Sequence, residues 1–275
     1  MIDDLKGKAV LITGSSTGIG AAAAVAFGAN GAKVAVHYNR SKAEADKVAA
    51  DVEKAGGKAV VLQGDVTSSA ACKQLVERTV QSFGRIDVLI TNVGGLIQRI
   101  PVEQITDELF DQVLHLNVRS TLACIAAAVP HMRKQGGGNI INVTSVAARH
   151  GGGPGAALYA GSKGFISTVT HGLAKELVKD NIRVNAVAPG VIYTPFHDRY
   201  STPQMLESRA WGQWIEDAAK DLSDLRTIAA LPDAAARLDV YTTPEVNALP
   251  TLIPSRRMAG TGSTVAIGFT EPAGV

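Results

Sequence analysis

Six short runs rich in Val, Ile and Leu recur along the first 190 residues: Lys8–Ile12, Lys33–His37, Ala59–Gln63, Ile86–Thr91, Asn139–Val143 and Arg183–Ala188. Between them, Ile19–Ala29, Lys42–Ala55, Ser69–Phe83, Asp107–Lys134 and Tyr159–Val178 read as helices. Strands that are apolar throughout, instead of alternating, are buried on both faces, as in a parallel sheet covered by helices. The alternation therefore predicts an α/β fold, a doubly wound parallel sheet in three α/β/α layers. A single domain is expected over residues 1–275. A chain of that size buries roughly 75% of its unfolded surface and needs no disulfide or metal to fold.

The first run ends on Thr13-Gly-Ser-Ser-Thr-Gly-Ile-Gly20, which opens the first helix. Gly14 permits a tight turn, Gly18 lets backbone approach a pyrophosphate, and Gly20 lets the helix pack on the strand. The helix N-terminus offers unpaired N–H groups and the positive end of its dipole to phosphates. Glycines also punctuate ordinary loops, but this one has the strand and helix of a Rossmann-like dinucleotide site around it.

The acid that usually meets the ribose, about 20 residues further on, is missing. The second run ends instead in His37-Tyr38-Asn39-Arg40-Ser41. A carboxylate there would repel a 2′-phosphate, whereas Arg40 and Ser41 suit one, Arg40 as a charge-assisted fork. NADP(H) is favoured and NAD(H) is admissible; the plain alternative makes Arg40 a solvated loop residue. Asp65-Val66 and Asn92-Val93-Gly94-Gly95 follow the third and fourth runs, at the carboxyl edge where open sheets bind ligands. Asp65 either meets an adenine amino group or serves the start of the next helix.

Tyr159 and Lys163 are four residues apart and share a helical face. A free phenol has a pKa near 10, too high for a base at neutral pH, and a nearby cation favours its ionised form. Ser145 ends the run before it, where its hydroxyl is placed to polarise a carbonyl oxygen. Asn117 is polar among apolar neighbours, either a buried amide that bends the helix or an anchor for a water chain to Lys163.

These residues together resemble the short-chain dehydrogenase/reductase family over roughly residues 5–196. The resemblance rests on TGxxxGIG at Thr13–Gly20, Asp65, Asn92-Val93-Gly94, Asn117, Ser145, the YxxxK pair and Pro189-Gly190. It implies a tetrad in which Tyr159 is the general acid/base, Ser145 steadies the substrate oxygen, Lys163 holds the nicotinamide ribose and Asn117 completes a proton relay. It assigns the cofactor to Gly14, Ser16, Thr17, Gly18, Ile19 and Gly20 of the turn, to Tyr38, Asn39, Arg40 and Ser41, to Asp65 and Val66, and to Asn92, Val93 and Gly94. Tyr159, Lys163, Pro189, Gly190, Ile192 and Thr194 complete the set, with Val191 beside them.

The implied activity interconverts a secondary alcohol and a ketone, as in 3-oxoacyl-carrier-protein reductases and polyol dehydrogenases, on a small-molecule substrate. The alternative is a non-catalytic dinucleotide-binding or scaffold protein. A mostly apolar substrate pocket is expected near Gly95, Leu96, Val146 and Tyr193, with Trp211 and Trp214 as further candidates. The resemblance also implies a homo-oligomer, a dimer through the two long helices or a tetramer.

Seven of the eleven prolines follow residue 194, and the family's C-terminal signals fade there. Residues 196–242 are expected to form a substrate loop or lid and 243–275 a divergent end, with Ser263–Phe269 a last strand; a shifted reading frame is the alternative. Basic residues number 27 and acidic 25, net +2, with no long run of one sign. Nucleic acid and membranes are therefore not expected partners. Met1–Lys8 lacks a secretory apolar core, and Cys72 and Cys124 read as buried reduced thiols, a bridge being the alternative. A cytoplasmic protein without a metal site is expected.

Overall fold

The computed structural model describes residues 3–190, 192, 194–202 and 264–266. The strands are β1 (Ala9–Ile12), β2 (Lys33–Tyr38), β3 (Lys58–Gln63), β4 (Val88–Thr91), β5 (Gly138–Val143), β6 (Ile182–Ala188) and β7 (Thr264–Ala266). They form one parallel sheet in the order β3-β2-β1-β4-β5-β6-β7. The strand order reverses between β1 and β4, and the carboxyl ends at that point flank an open crevice.

The helices are α1 (Gly18–Ala29), α2 (Lys42–Lys54), α3 (Ser69–Phe83), α4 (Asp107–Leu114), α5 (Ser120–Lys134), α6 (Ala147–His150), α7 (Ala157–Leu177) and α8 (Pro195–Tyr200). Successive residues of a strand point to opposite faces. Val10 and Ile12 accordingly join Val34, Val36, Val88 and Ile90 under α1 and α2. Leu11, Leu89, Ile140 and Val184 form a second core with Leu75, Ile125, Met132 and Leu177 of α3, α5 and α7. The α1 helix is mostly Ala and Gly, which lets α2 come close: a Cβ on Gly28 would lie 2.8 Å from the Val52 carbonyl oxygen. Helix ends follow local chemistry. Ser68 caps α3 by accepting from the Ala71 N–H, Thr106 caps α4 through Leu109, and Gly84 ends α3 at φ +80°.

Several boundaries differ from the sequence reading. Asp107–Lys134 is not a uniform α-helix, because His115–Arg119 forms a π-helical turn between α4 and α5. The extra residue in that turn turns Asn117 inward. This run is long and apolar enough to cross a bilayer, but Cys124, Ile125, Ala128 and Met132 are buried within the protein. Cys72 and Cys124 are free and buried, so they do not form a bridge. Val191, Tyr193, Trp211, Trp214 and most of 196–275 lie outside the described residues, so the lid and the divergent end remain expectations.

Candidate active site

A cleft of about 1170 Å³ runs along the carboxyl edge of the sheet. Of the residues assigned to cofactor and catalysis from sequence, all the described ones line it except Gly20 and Asn117. The volume slightly exceeds the usual range of small-ligand sites, which leaves space for a dinucleotide and a second molecule.

At one end, β1 delivers the glycine turn. Gly14 and Gly18 hold φ of +65° and +59°, the left-handed region that glycine alone visits freely, so the backbone stays bare at the mouth of α1. Gly20 has a packing role: a Cβ there would sit 2.6 Å from both Asn92 Nδ2 and the Gly14 oxygen. No side chain caps α1, so its first-turn N–H groups keep their capacity for an anion. Asn92 Nδ2 donates to the Thr13 and Gly14 carbonyls at 2.9 and 3.1 Å, and Thr13 Oγ1 accepts from the Asn92 and Val93 N–H groups. The end of β4 thus braces the turn after β1. These features fit the pyrophosphate of a nicotinamide dinucleotide.

His37, read from sequence only as a strand residue, completes this scaffold. It is 1% exposed. Its Nδ1 accepts from the Gly14 N–H at 2.8 Å, and Nε2 lies 3.0 Å from the Gly64 carbonyl. Both bonds require the neutral ring with its proton on Nε2. Burial holds its pKa below the ordinary 6.5. The unfolded chain therefore takes up the proton first, and stability falls as pH drops from 6.5 through the lower folded value. His37→Ala leaves two half-buried backbone groups without their partner, and a stability loss of about 1–3 kcal/mol is expected in urea unfolding at pH 7. An unchanged midpoint would remove His37 from the scaffold.

The residues beyond β2 behave unequally. Tyr38 packs in the core with Val34 and Ala45, 9% exposed, while Asn39 and Arg40 are exposed. Tyr38 is therefore mainly a packing residue, because the strand's alternation turns its ring onto α2. The Ser41 and Ser16 hydroxyls meet at 2.9 Å, joining the start of α2 to the glycine turn. Asp65 Oδ1 accepts from the Thr67 N–H and hydroxyl at 3.0 and 2.8 Å. Those bonds hold its carboxyl below the usual range. It serves the loop before α3 and still lines the cleft.

At the other end, β5 delivers Ser145 and α7 delivers Tyr159 and Lys163. Ser145 and Tyr159 line the same stretch of the cleft, where Ser145 favours the ionised phenol, and Ser145 Oγ accepts from the Ala147 N–H at 3.2 Å. Lys163 is 3% exposed, and its Nζ donates to the Val143 carbonyl at 2.8 Å. Burial pulls its pKa from 10.5 down to about 8. The sequence reading has Lys163, together with a bound positive nicotinamide, favouring the phenolate; in the cofactor-free protein burial is the larger influence. Burial pushes the Tyr159 phenol up, Ser145 only partly opposes this, and Nζ lies 5.9 Å from the ring centroid. Without a further cation, desolvation outweighs Lys163 and the phenol holds its proton.

Asn117 is fully buried in the π turn. Its amide donates to the Gly95 carbonyl at 2.9 Å and accepts from the Gly95 N–H at 2.8 Å. A Cβ on Gly94 would sit 2.6 Å from Lys163 Nζ and 2.9 Å from Asn117 Oδ1, so all three groups converge. Asn117 is thus a buried amide that ties the π turn to the loop after β4.

The substrate end differs from the apolar pocket read from sequence. Leu96 and Val146 do line it, but Arg99, His150, His197 and Arg199 stand beside them. Arg99 and His197 come from distant segments that only the fold unites. No motif in the chain pointed to Arg99. Phe196 closes over Tyr159, ring centroids 5.8 Å apart.

The model for short chain dehydrogenases matches residues 8–204. An uncharacterized oxidoreductase of Methylorubrum extorquens is 42% identical over 190 residues, 69% of this chain and 75% of that protein. The crystal structure of an NADH-dependent reductase, A1-R′, complexed with NAD, is 41% identical with a TM-score of 0.67. It covers 70% of this chain and 82% of its own. That of a 3-ketoacyl-(acyl-carrier-protein) reductase from Brucella melitensis complexed with NADH is 27% identical with a TM-score of 0.73, covering 96% and 98%. Sequence, fold and site converge: this chain belongs to the short-chain dehydrogenase family of oxidoreductases.

Proposed function

We propose that the protein interconverts a secondary alcohol and a ketone with a nicotinamide dinucleotide, NADP(H) in preference to NAD(H). The observation that carries this reading is the Ser145–Tyr159 hydroxyl pair beside buried Lys163, in the same cleft as the bare glycine turn. The dinucleotide, when bound, supplies or accepts the hydride. Ser145 orients the carbonyl oxygen. Tyr159, protonated at neutral pH, delivers its proton to that oxygen in reduction and recovers it in oxidation. Lys163 and Asn117 give the phenol a route for replacing the proton. Oxidation of NADPH and NADH against a panel of ketones tests the reading. Cofactor binding without turnover on any ketone would favour the scaffold alternative.

The preference for NADP(H) is supported by exposed Arg40 beside Ser41 and by the lack of an acid at the end of β2. The relatives A1-R′ and the Brucella reductase are complexed with NAD and NADH, so the preference for NADP(H) rests on this chain's own residues. Because Tyr38 is packed, the place for an acid is exposed Asn39. Asn39→Asp with Arg40→Gln is expected to shift the ratio of kcat/KM from NADP(H) toward NAD(H) by about 10-fold or more, by repulsion of the 2′-phosphate. A ratio that stays put would refute the assignment.

We also propose a homo-oligomer, at least a dimer, in the cytoplasm. Phe110 of α4 and Phe165 of α7 are each 45% exposed, an apolar surface suited to a self-complementary interface. Free buried thiols fit a reducing compartment. Light scattering at a monomer mass of 28.6 kDa would exclude the dimer.

A further inference from the structure

Arg99 is a half-buried cation that no carboxylate pairs with among the described residues. Its Nε donates to the Tyr200 carbonyl at 2.7 Å and its Nη1 to the Pro154 carbonyl at 2.9 Å. It thereby ties α8 to the loop before α7, and the Ile100 N–H adds a bond to the Gly155 carbonyl at 3.1 Å. Two residues earlier, Ile97 holds φ +64°, an outlier for a β-branched side chain. Such a backbone persists only where its surroundings impose it. With two donors fixed on backbone, the guanidinium is held in place on the wall of the cleft.

Carbonyls take two of its hydrogen bonds, and among the described residues no carboxylate compensates its charge. Burial lowers its pKa from the ordinary arginine value, the mark of partial desolvation. Among the described residues, the ion pairs join Asp87 to Lys8 and Arg85, Lys42 to Asp46, Lys73 to Glu77 and Arg133 to Asp180; Arg99 has none. The surroundings add to the imbalance. Arg199, His197 and His150 line the same end of the cleft, and Arg99 itself disfavours protonation of His197. Asp198 acts on His197 but is exposed and does not line the cleft. The described carboxylates that do, Glu44 and Asp65, follow β2 and β3 at the cofactor end. A desolvated cation left unpaired is unfavourable, and an arriving anion relieves the cost.

We infer that the substrate carries a carboxylate recognised by Arg99, so that the protein acts on an oxo acid or the matching hydroxy acid. One half-buried guanidinium balances one unit of charge, which suits a carboxylate. This inference rests on the alcohol–ketone reading and narrows it.

The test uses pyruvate, acetoacetate, levulinate and 5-oxohexanoate, each against its primary amide, a neutral partner of the same size. At least one acid is expected to exceed its amide in kcat/KM by about 10- to 100-fold, the range of a charge-assisted hydrogen bond. Arg99→Met should bring that ratio close to one. Arg99→Lys should keep much of it, because the charge remains while the fork is lost. Equal kcat/KM for acid and amide throughout the series would overturn the inference. So would an Arg99→Met variant that slows both alike and leaves the ratio intact, the behaviour of a purely structural clasp. Calorimetric binding to the enzyme–NADPH complex separates the two levels. Tighter binding of the acid than the amide without turnover of either would support the anion site and sink the oxidoreductase reading. Turnover of neutral ketones with no acid bound would do the reverse.

Discussion

Tyr159→Phe is expected to lower turnover by about 10²–10⁴-fold while cofactor affinity stays near the parental value. The ring remains to pack against Phe196, whose centroid lies 5.8 Å away, so the cleft keeps its shape. What disappears is the proton that Tyr159 holds next to Ser145. Burial raises the phenol's pKa in the cofactor-free protein. Steady-state rates paired with a fluorescence titration of NADPH would separate chemistry from binding. Near-parental turnover in the Phe variant would remove Tyr159 from the acid/base role.

Lys163→Met has two expected effects of opposite kind. Turnover should fall by about 10²-fold or more, since the phenol loses its neighbouring proton carrier. Stability of the cofactor-free protein at pH 7 should rise. Lys163 titrates at about 8 when folded against 10.5 as a free side chain. The difference corresponds to a cost of about 3 kcal/mol for keeping the buried cation charged. Losing the bond to the Val143 carbonyl returns about 1–2 kcal/mol of that, so a net gain of about 1–2 kcal/mol is expected. The sign with pH follows from linkage. Between about 8 and 10.5 the folded lysine is neutral while the unfolded chain still binds the proton, so the parental protein gains stability across that window. The variant's advantage should shrink over the same interval. Urea unfolding at several pH values measures this directly; a Met variant less stable at pH 7 would contradict the depressed lysine.

The elements legible in the sequence are those that rest on local rules. Ser69–Phe83 matches α3 at both ends, with Ser68 and Gly84 as its cap and stop. Strand β4 starts at Val88, two residues after the apolar run begins. Asp87 there is occupied otherwise, its carboxylate accepting from the Ala9 N–H at 2.9 Å and pairing with Arg85. The π turn at His115–Arg119 is hidden because one added residue barely disturbs an apolar helical pattern. Tyr38 shows the limit from the other side. Its place in the chain suggests a ligand contact and it does line the cleft, while the packing of its ring onto α2 shows only in the fold.

The layered α/β architecture, the glycine turn and the Tyr159–Lys163 pair are legible along the chain. Each depends on spacing within a few residues: the strand's alternation of faces, the helix's 3.6-residue repeat, the turn's need for bare backbone. Only the tertiary structure decided which protonation states and charges the site contains. His37 becomes a neutral brace between Gly14 and Gly64, burial raises the pKa of the Tyr159 phenol, and Arg99 reaches α8 across 101 residues of chain. Those outcomes come from desolvation and long-range contact, and neither is written in the spacing of neighbouring residues.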